Sequence, residues 1–172
     1  MVKMLSLNSN IGGKKFYRLM NLCFELSTHF SFTKRTFHKK DVEYKMFLED
    51  LSPSYIDTRF TPHWFCYYVP ETTPLEVQLF TTDNNMKHIV KKHFDNLFQN
   101  ERMKDGTLGN LKNLPEDMCF FIGDKLLLGT VSHEKICYVY PPTQEIAERF
   151  MELGEWEEVE CIEEEHICLE NR

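Results

Sequence analysis

A chain of 172 residues with 42% hydrophobic and 27% charged residues has the size and composition of one folded domain that buries about 70% of its unfolded surface. Its fourteen Phe, seven Tyr and two Trp argue against disorder of the whole chain, because such side chains supply a core or an interface. No apolar run reaches the roughly 18 residues that a membrane helix needs, and the apolar start of the chain is too short for a signal peptide. We therefore expect a cytoplasmic protein without membrane association, whose six widely spaced cysteines are reduced thiols.

The net charge of -7 conceals an uneven distribution of charge along the chain. Residues 1–40 contain eight Lys or Arg and one acidic residue, whereas residues 141–172 contain two and eleven, respectively. Such asymmetry indicates either that the basic head and the acidic tail lie side by side in the fold, or that one of them faces a partner of opposite charge.

In chain order, the N-terminal third predicts a weak first strand and two helices. Apolar residues recur at spacings of three and four from Lys14 to about Phe30, which indicates an amphipathic helix. The basic stretch at 30–40 is a connection or a strand. Asp41 is a candidate cap for the second helix, which Pro53 ends.

The middle of the chain predicts a hairpin, a helix and a loop. The aromatic run at 63–70 and the alternating run at 75–82 are typical of strands, and we expect them to pair with each other. Asp83 then caps the clearest amphipathic helix of the sequence. Residues 99–117, which contain two Gly and a Pro, have little periodicity and predict a long loop.

The last third predicts three strands, a short helix and a final strand. Two apolar runs flank Gly123 and predict a hairpin, and residues 136–140 continue as a third strand. Thr143 is a candidate cap for a helix that Gly154 closes, and residues 155–162 predict the last strand.

These elements predict an α+β fold, with an antiparallel or mixed β-sheet and about four helices packed against it. We assign residues 1–155 to a single globular domain, and residues 156–172 to an acidic C-terminal strand and tail.

One stretch resembles a metal or nucleophile motif in composition only. His133, Glu134 and Cys137 differ by one residue from the H-E-x-x-H motif of zinc proteases, with Cys66 or His63 as a possible third ligand. That motif requires a helix, which places both ligands on one face, whereas the residues on either side here favour strands joined by a turn. We therefore predict no metal site, no catalytic residue and no cofactor.

A second stretch is a candidate ligand-binding site for a phosphate-bearing molecule. Gly12, Gly13, Lys14 and Lys15 stand at a predicted helix start, where backbone N–H groups and positive charge favour an anion. The stretch is not a P-loop, because the first glycine of that motif and the Ser or Thr after its lysine are missing. A flexible turn before a basic helix is the alternative.

Two clusters of basic residues raise the question of nucleic-acid binding. They are Lys87, His88, Lys91 and Lys92 on the third predicted helix, and Lys34, Arg35, Lys39 and Lys40 in the basic stretch. A nucleic-acid protein would use such clusters to displace counterions from phosphates. Because the pI is about 5.5, we expect solvated faces and no nucleic-acid partner.

The acidic C-terminal segment is the strongest candidate for a functional surface. It combines one large aromatic residue with six carboxylates, namely Trp156, Glu157, Glu158, Glu160, Glu163, Glu164 and Glu165. An aromatic anchor ringed by charge is typical of protein interfaces. We therefore expect a protein-binding module that inhibits or regulates a partner with a basic surface, of the immunity-protein or phage- or plasmid-encoded inhibitor class. The alternatives are a small enzyme or ligand-binding protein using Gly12–Lys15 or a Cys and His site, and a regulatory subunit of a larger assembly.

Overall fold

A large antiparallel sheet organises the chain. The computed structural model describes residues 2–34, 42–99, 114–161 and 169. The strands of this sheet are β1 (Met4–Leu7), β2 (His29–Lys34), β3 (Tyr55–Thr61), β6 (Leu75–Thr81), β7 (Glu116–Ile122), β8 (Lys125–Val131), β9 (Ile136–Val139) and β10 (Trp156–Val159). A separate two-stranded hairpin consists of β4 (His63–Trp64) and β5 (Tyr67–Tyr68).

The order of the eight strands across the sheet is β10-β1-β9-β8-β7-β2-β6-β3, and each adjacent pair is antiparallel. The N-terminal strand β1 therefore lies between two strands from the C-terminal part of the chain. The outermost strands are β10 at one end and β3 at the other.

Four helices in the described residues pack on one face of the sheet, the helix-side face. They are α1 (Lys14–Leu26), α2 (Val42–Leu51), α3 (Asn84–His93) and α4 (Gln144–Met151). The predicted caps of α3 and α4 are confirmed, because Asp83 accepts a hydrogen bond from the Met86 N–H at 2.8 Å and Thr143 accepts one from Ile146 at 3.2 Å. The predicted cap of α2, Asp41, lies outside the described residues. None of the described helices is long and apolar enough to cross a membrane.

Phenylalanine rings from adjacent strands form the centre of the helix-side core. Phe30 of β2 stacks on Phe80 of β6, with ring centroids 5.2 Å apart, and on Phe120 of β7 at 6.1 Å. Phe24 of α1 lies 5.2 Å from both Phe30 and Phe120. Since burial of one such ring contributes roughly 1.5–3 kcal/mol, this cluster holds α1 against the middle of the sheet.

The hairpin β4–β5 covers part of the opposite face, the hairpin-side face. Trp64 contacts Phe121 with ring centroids 5.9 Å apart, and Phe65 is fully buried. Phe65 packs directly over Gly129 of β8, where an added Cβ would lie 2.9 Å from the phenylalanine ring. Only glycine at position 129 leaves room for this ring, so the hairpin and the sheet fit each other closely.

The α+β class and the four helices are confirmed, but the sheet is larger than we expected. The predicted hairpin between residues 63–70 and 75–82 is wrong. The aromatic run folds back on itself, because Phe65 adopts a left-handed backbone conformation with φ of 49°. The strand at Leu75–Thr81 pairs instead with β2 and with β3, a strand that we did not predict.

Two predicted boundaries also differ from the structure. Helix α1 ends at Leu26 rather than near Phe30, because the N–H and hydroxyl of Ser27 both bond to the Cys23 carbonyl and the chain then becomes extended. The predicted loop at 99–117 ends early, since β7 begins at Glu116. Residues 100–113 lie outside the described part of the chain.

Candidate functional site

The acidic segment contributes the outermost strand at one end of the sheet. Strand β10 pairs with β1 in a register that places Leu7 opposite Trp156 and Met4 opposite Val159. In the described residues β10 has no strand on its other side. Glu157, Glu158 and Glu160 are exposed, whereas Glu163, Glu164 and Glu165 lie outside the described residues. This end of the sheet, which we call the acidic edge, therefore combines a strand edge with a row of carboxylates.

Trp156 has a structural role at the acidic edge. Its ring is partly buried and meets Phe150 of α4 edge to face, with centroids 6.2 Å apart. A Cβ added to Gly154 would lie 3.2 Å from the indole Nε1 and 2.9 Å from Ile11. The tryptophan therefore fixes β10 against α4, and only the remaining part of its ring is accessible to a partner.

Described parts of the basic head and of the acidic tail are neighbours in the fold. Strand β1 lies beside β10, and the side chain of Ser9 donates to the Glu155 carboxylate at 3.1 Å. One ion pair between described residues of the two regions has the reverse polarity, because Arg149 of α4 donates two hydrogen bonds to Glu25 of α1 at 3.0 and 2.9 Å. These hydrogen bonds hold the pKa of the Glu25 carboxyl below its usual value. Glu157 and Glu158, in contrast, have no side-chain hydrogen bond or ion pair among the described residues.

The candidate phosphate-binding residues form the turn before α1. Gly13 has a left-handed φ of 62°, and its N–H donates to the Asp95 carbonyl at 2.9 Å. Gly12 forms a β-bridge with Asn96. Lys14 and Lys15 are exposed at the start of the helix. The turn is thus tied to the segment after α3, and phosphate binding there stays a prediction.

The residues of the protease-like motif lie in two different layers. Ser132–Glu134 form a single 3-10 turn, as the strand-like neighbours predicted, and His133 meets the Tyr67 ring with centroids 4.9 Å apart. Cys137 is buried in the helix-side core, and its burial raises the pKa of the thiol well above the usual value. His63 stacks on Tyr68 at 4.0 Å, and Cys66 packs on the hairpin side. Cys137 is therefore neither a ligand beside His133 nor an activated nucleophile.

His133 does meet two carboxylates that we did not predict. Ligand atoms of Glu116, Asp117 and His133 all lie within 4.8 Å of one another. Glu116 and Asp117 are only 5% and 4% exposed. Two carboxylates and an imidazole suit a divalent cation in chemical terms. No local motif marks the cluster, because β7 and the turn after β8 bring the three residues together.

The structure gives Asp117 a clear function as a cap of this turn. Its carboxylate accepts the Ser132 N–H at 2.7 Å, and its own N–H donates to the Ser132 hydroxyl at 3.3 Å. Asp117 has a left-handed φ of 56°, and the register between β2 and β7 shifts at this position. The irregular backbone thus aims the carboxylate at the turn.

The opposite end of the sheet carries a second surface that we did not predict, the β3 edge. Tyr55, Ile56 and Phe60 are 48%, 46% and 67% exposed, respectively. Ile56, Asp57 and Arg59 also line an open cleft of about 500 Å³ with His29, Leu79 and Asp124 among its other walls. The β3 edge is therefore apolar with one charge of each sign, unlike the acidic edge.

The basic residues of α3 lie on a solvated helix. Lys92 and His88 are exposed, and Lys91 donates to the Asn21 side chain at 2.9 Å. Of the other basic cluster, only Lys34 falls within a described strand, while Arg35, Lys39 and Lys40 lie outside the described residues.

The chain matches no protein-family model, no curated protein and no solved structure.

Proposed function

We propose that this chain is a small protein-binding module that inhibits or regulates a basic partner protein through its acidic edge. The observation that carries the proposal is the position of the acidic segment. Glu157 and Glu158 are exposed on β10, the last strand of an eight-stranded sheet. This position combines directional backbone groups with concentrated negative charge, two features that protein recognition uses together.

Strand addition is the mode of binding that this geometry favours. An edge strand presents N–H and C=O groups that an extended segment of another protein can pair with. Side chains alternate between the two faces of a strand, so Glu157 and Glu158 point to opposite faces and would receive Lys or Arg side chains on both sides of the added segment. A segment with two consecutive basic residues, one directed to each face, is thus the partner that fits best.

Electrostatic steering would act before these contacts form. The carboxylates are exposed and close together, so their field extends into solvent over about one Debye length, roughly 8 Å at physiological salt. Such a field accelerates encounter with a basic partner and orients it. The contact of Trp156 with Phe150 keeps the strand in place during binding, which limits the ordering cost.

The test is charge reversal at the acidic edge against a matched control. The protein is used to capture its partner from source cells after cross-linking, and the identified partner is purified for association kinetics. We expect E157K/E158K to slow association by roughly tenfold or more and to weaken its salt dependence. The control E49K/E71K makes the same change in net charge at exposed positions away from β10, and we expect it to associate at the wild-type rate within about threefold.

Equal rates for the folded E157K/E158K variant and the wild type would refute the proposal. Equal slowing in E157K/E158K and E49K/E71K would also refute it, because the effect would then come from net charge alone. Circular dichroism spectra and melting curves establish that each variant is folded.

A further inference from the structure

The β3 edge exposes large apolar side chains beside its two charged residues, Asp57 and Arg59. Natural sheets protect their edges with charged residues, because a free edge can pair with another chain. Strand β10 carries exposed carboxylates, whereas β3 has Asp57 and Arg59 together with Ile56 and Phe60, which are 46% and 67% exposed. Within the described residues β3 pairs only with β6. Exposed apolar side chains beside charges of both signs on an outermost strand indicate a contact surface.

The sequence of β3 is complementary to itself in the antiparallel direction. If two copies of Tyr55–Thr61 are placed side by side about a two-fold axis at Thr58, Asp57 of each copy lies opposite Arg59 of the other. In the same register Phe60 of each copy faces Ile56 of the other, the residue at which the pairing of β3 with β6 shifts. Isologous contacts of this kind are what a symmetric dimer requires, and opposite charges and apolar pairs are the favourable cross-strand combinations.

The orientation of the side chains is consistent with this register. Asp57 and Arg59 are paired with Leu79 and Val77 of β6, whose side chains lie in the hairpin-side core. Both charged residues therefore face the same side, and Arg59 Nε lies 3.7 Å from the Asp57 carboxylate within one copy. With the two-fold axis perpendicular to the sheet, the hairpin-side faces of both copies are continuous. The four charges then alternate in sign around the axis, so each has neighbours of opposite charge.

A backbone donor at the centre of the edge is also placed for pairing. The Thr58 N–H donates to its neighbour's carboxylate, Asp57 Oδ1, at 2.8 Å. In an antiparallel ladder, alternate residues point their backbone groups away from the adjacent strand. Pairing about Thr58 would replace this local bond with one to the second copy and would free the Asp57 carboxylate for Arg59 of that copy.

We propose that two copies of this chain associate through antiparallel β3 strands about a two-fold axis at Thr58, which joins their sheets into one. The contact consists of a single strand pair, which is smaller than the roughly 1,200–2,000 Å² of a standard interface. The dimer is therefore reversible, with a dissociation constant on the order of micromolar or weaker. The acidic edges remain at the two outer ends of the joined sheet, so dimer formation and partner binding do not compete.

The test exploits the reciprocal charge pattern and uses sedimentation velocity over roughly a hundredfold range of protein concentration. In R59D every charge at the contact is negative, and in D57R every charge is positive. We expect each single variant to dimerise at least about tenfold more weakly than the wild type. An equimolar mixture of R59D and D57R should form a heterodimer with an affinity within about threefold of the wild-type value, and so should the double variant D57R/R59D with itself.

The control variant E157K/E158K changes the other edge of the sheet, and we expect it to dimerise like the wild type. A second variant, F60S, removes an exposed ring without a core contact and should weaken the dimer while leaving the melting temperature unchanged. A wild-type protein that stays monomeric over the whole concentration range would overturn the proposal. So would a dimer that survives both single reversals, a mixture that does not recover association, or a dimer that is lost in E157K/E158K.

Discussion

Asp117 allows the role of a buried carboxylate to be separated into its hydrogen bond, its backbone conformation and its charge. Its carboxylate accepts the buried N–H of Ser132 at 2.7 Å, and its φ is 56°. Asp117→Ala leaves that N–H without its acceptor, which costs about 1–3 kcal/mol. It also places a residue without a local polar group in the left-handed region, at about 1 kcal/mol. We therefore expect Asp117→Ala to lower the free energy of unfolding by about 2–4 kcal/mol.

Asp117→Asn is the matched comparison, because asparagine retains an acceptor oxygen and tolerates the left-handed conformation. We expect its free energy of unfolding to stay within about 1 kcal/mol of the wild-type value. Urea unfolding followed by circular dichroism measures both variants, with equal slopes required for the comparison. If Asp117→Asn destabilises the protein as much as Asp117→Ala, the negative charge itself is needed, and our explanation of this residue is refuted. A cation held with Glu116 and His133 would require such a charge. An Asp117→Ala variant with the same free energy of unfolding as the wild type would also refute it.

Two further predictions concern the core and the thiols. Phe30→Ala removes a fully buried ring that contacts Phe24, Phe80 and Phe120. We expect this change to lower the free energy of unfolding, measured in urea, by about 3–5 kcal/mol. A loss below about 1 kcal/mol would contradict the stacked core. Burial raises the pKa of the Cys119 thiol to about 12 and also raises the pKa values of the Cys23 and Cys137 thiols. At pH 8 these three thiols should therefore react with a disulfide reagent only after unfolding. The exposed Cys161 should react in the native state. Mass spectrometry of the labelled peptides measures this order, and rapid native labelling of any of the three buried thiols would contradict it.

Local signals predicted the helices and the turns well. Helix periodicity and helix caps depend on residues that lie only a few positions apart in the sequence. Both predicted caps, Asp83 and Thr143, are confirmed. Gly123, which has a left-handed φ of 60°, predicted the β7–β8 hairpin correctly. Strand β3 was missed for a physical reason, because an edge strand is exposed along much of its length and so lacks the alternation of apolar and polar residues that a half-buried strand shows.

The sites depend more strongly on distant parts of the chain. Composition predicted that Glu157 and Glu158 are exposed, but only the pairing with β1 makes them part of a strand edge. His133 was identified as a candidate ligand with Cys137, yet its carboxylate neighbours come from β7, where the local register shift turns Asp117 toward the turn. Spacing in the sequence cannot predict such contacts, because they result from the register between strands that lie far apart along the chain.

The position of β1 has a consequence for the order of events during synthesis. Both neighbours of β1 in the sheet, Ile136–Val139 and Trp156–Val159, are synthesised long after it. Until then the first strand has no partner in the sheet, and contacts between such distant segments form slowly. Strand β10, whose only strand partner among the described residues is β1, therefore cannot join the sheet until residues 156–159 have been synthesised. A nascent or partly folded chain would not present the acidic edge, so binding at that edge would distinguish finished molecules from unfinished ones.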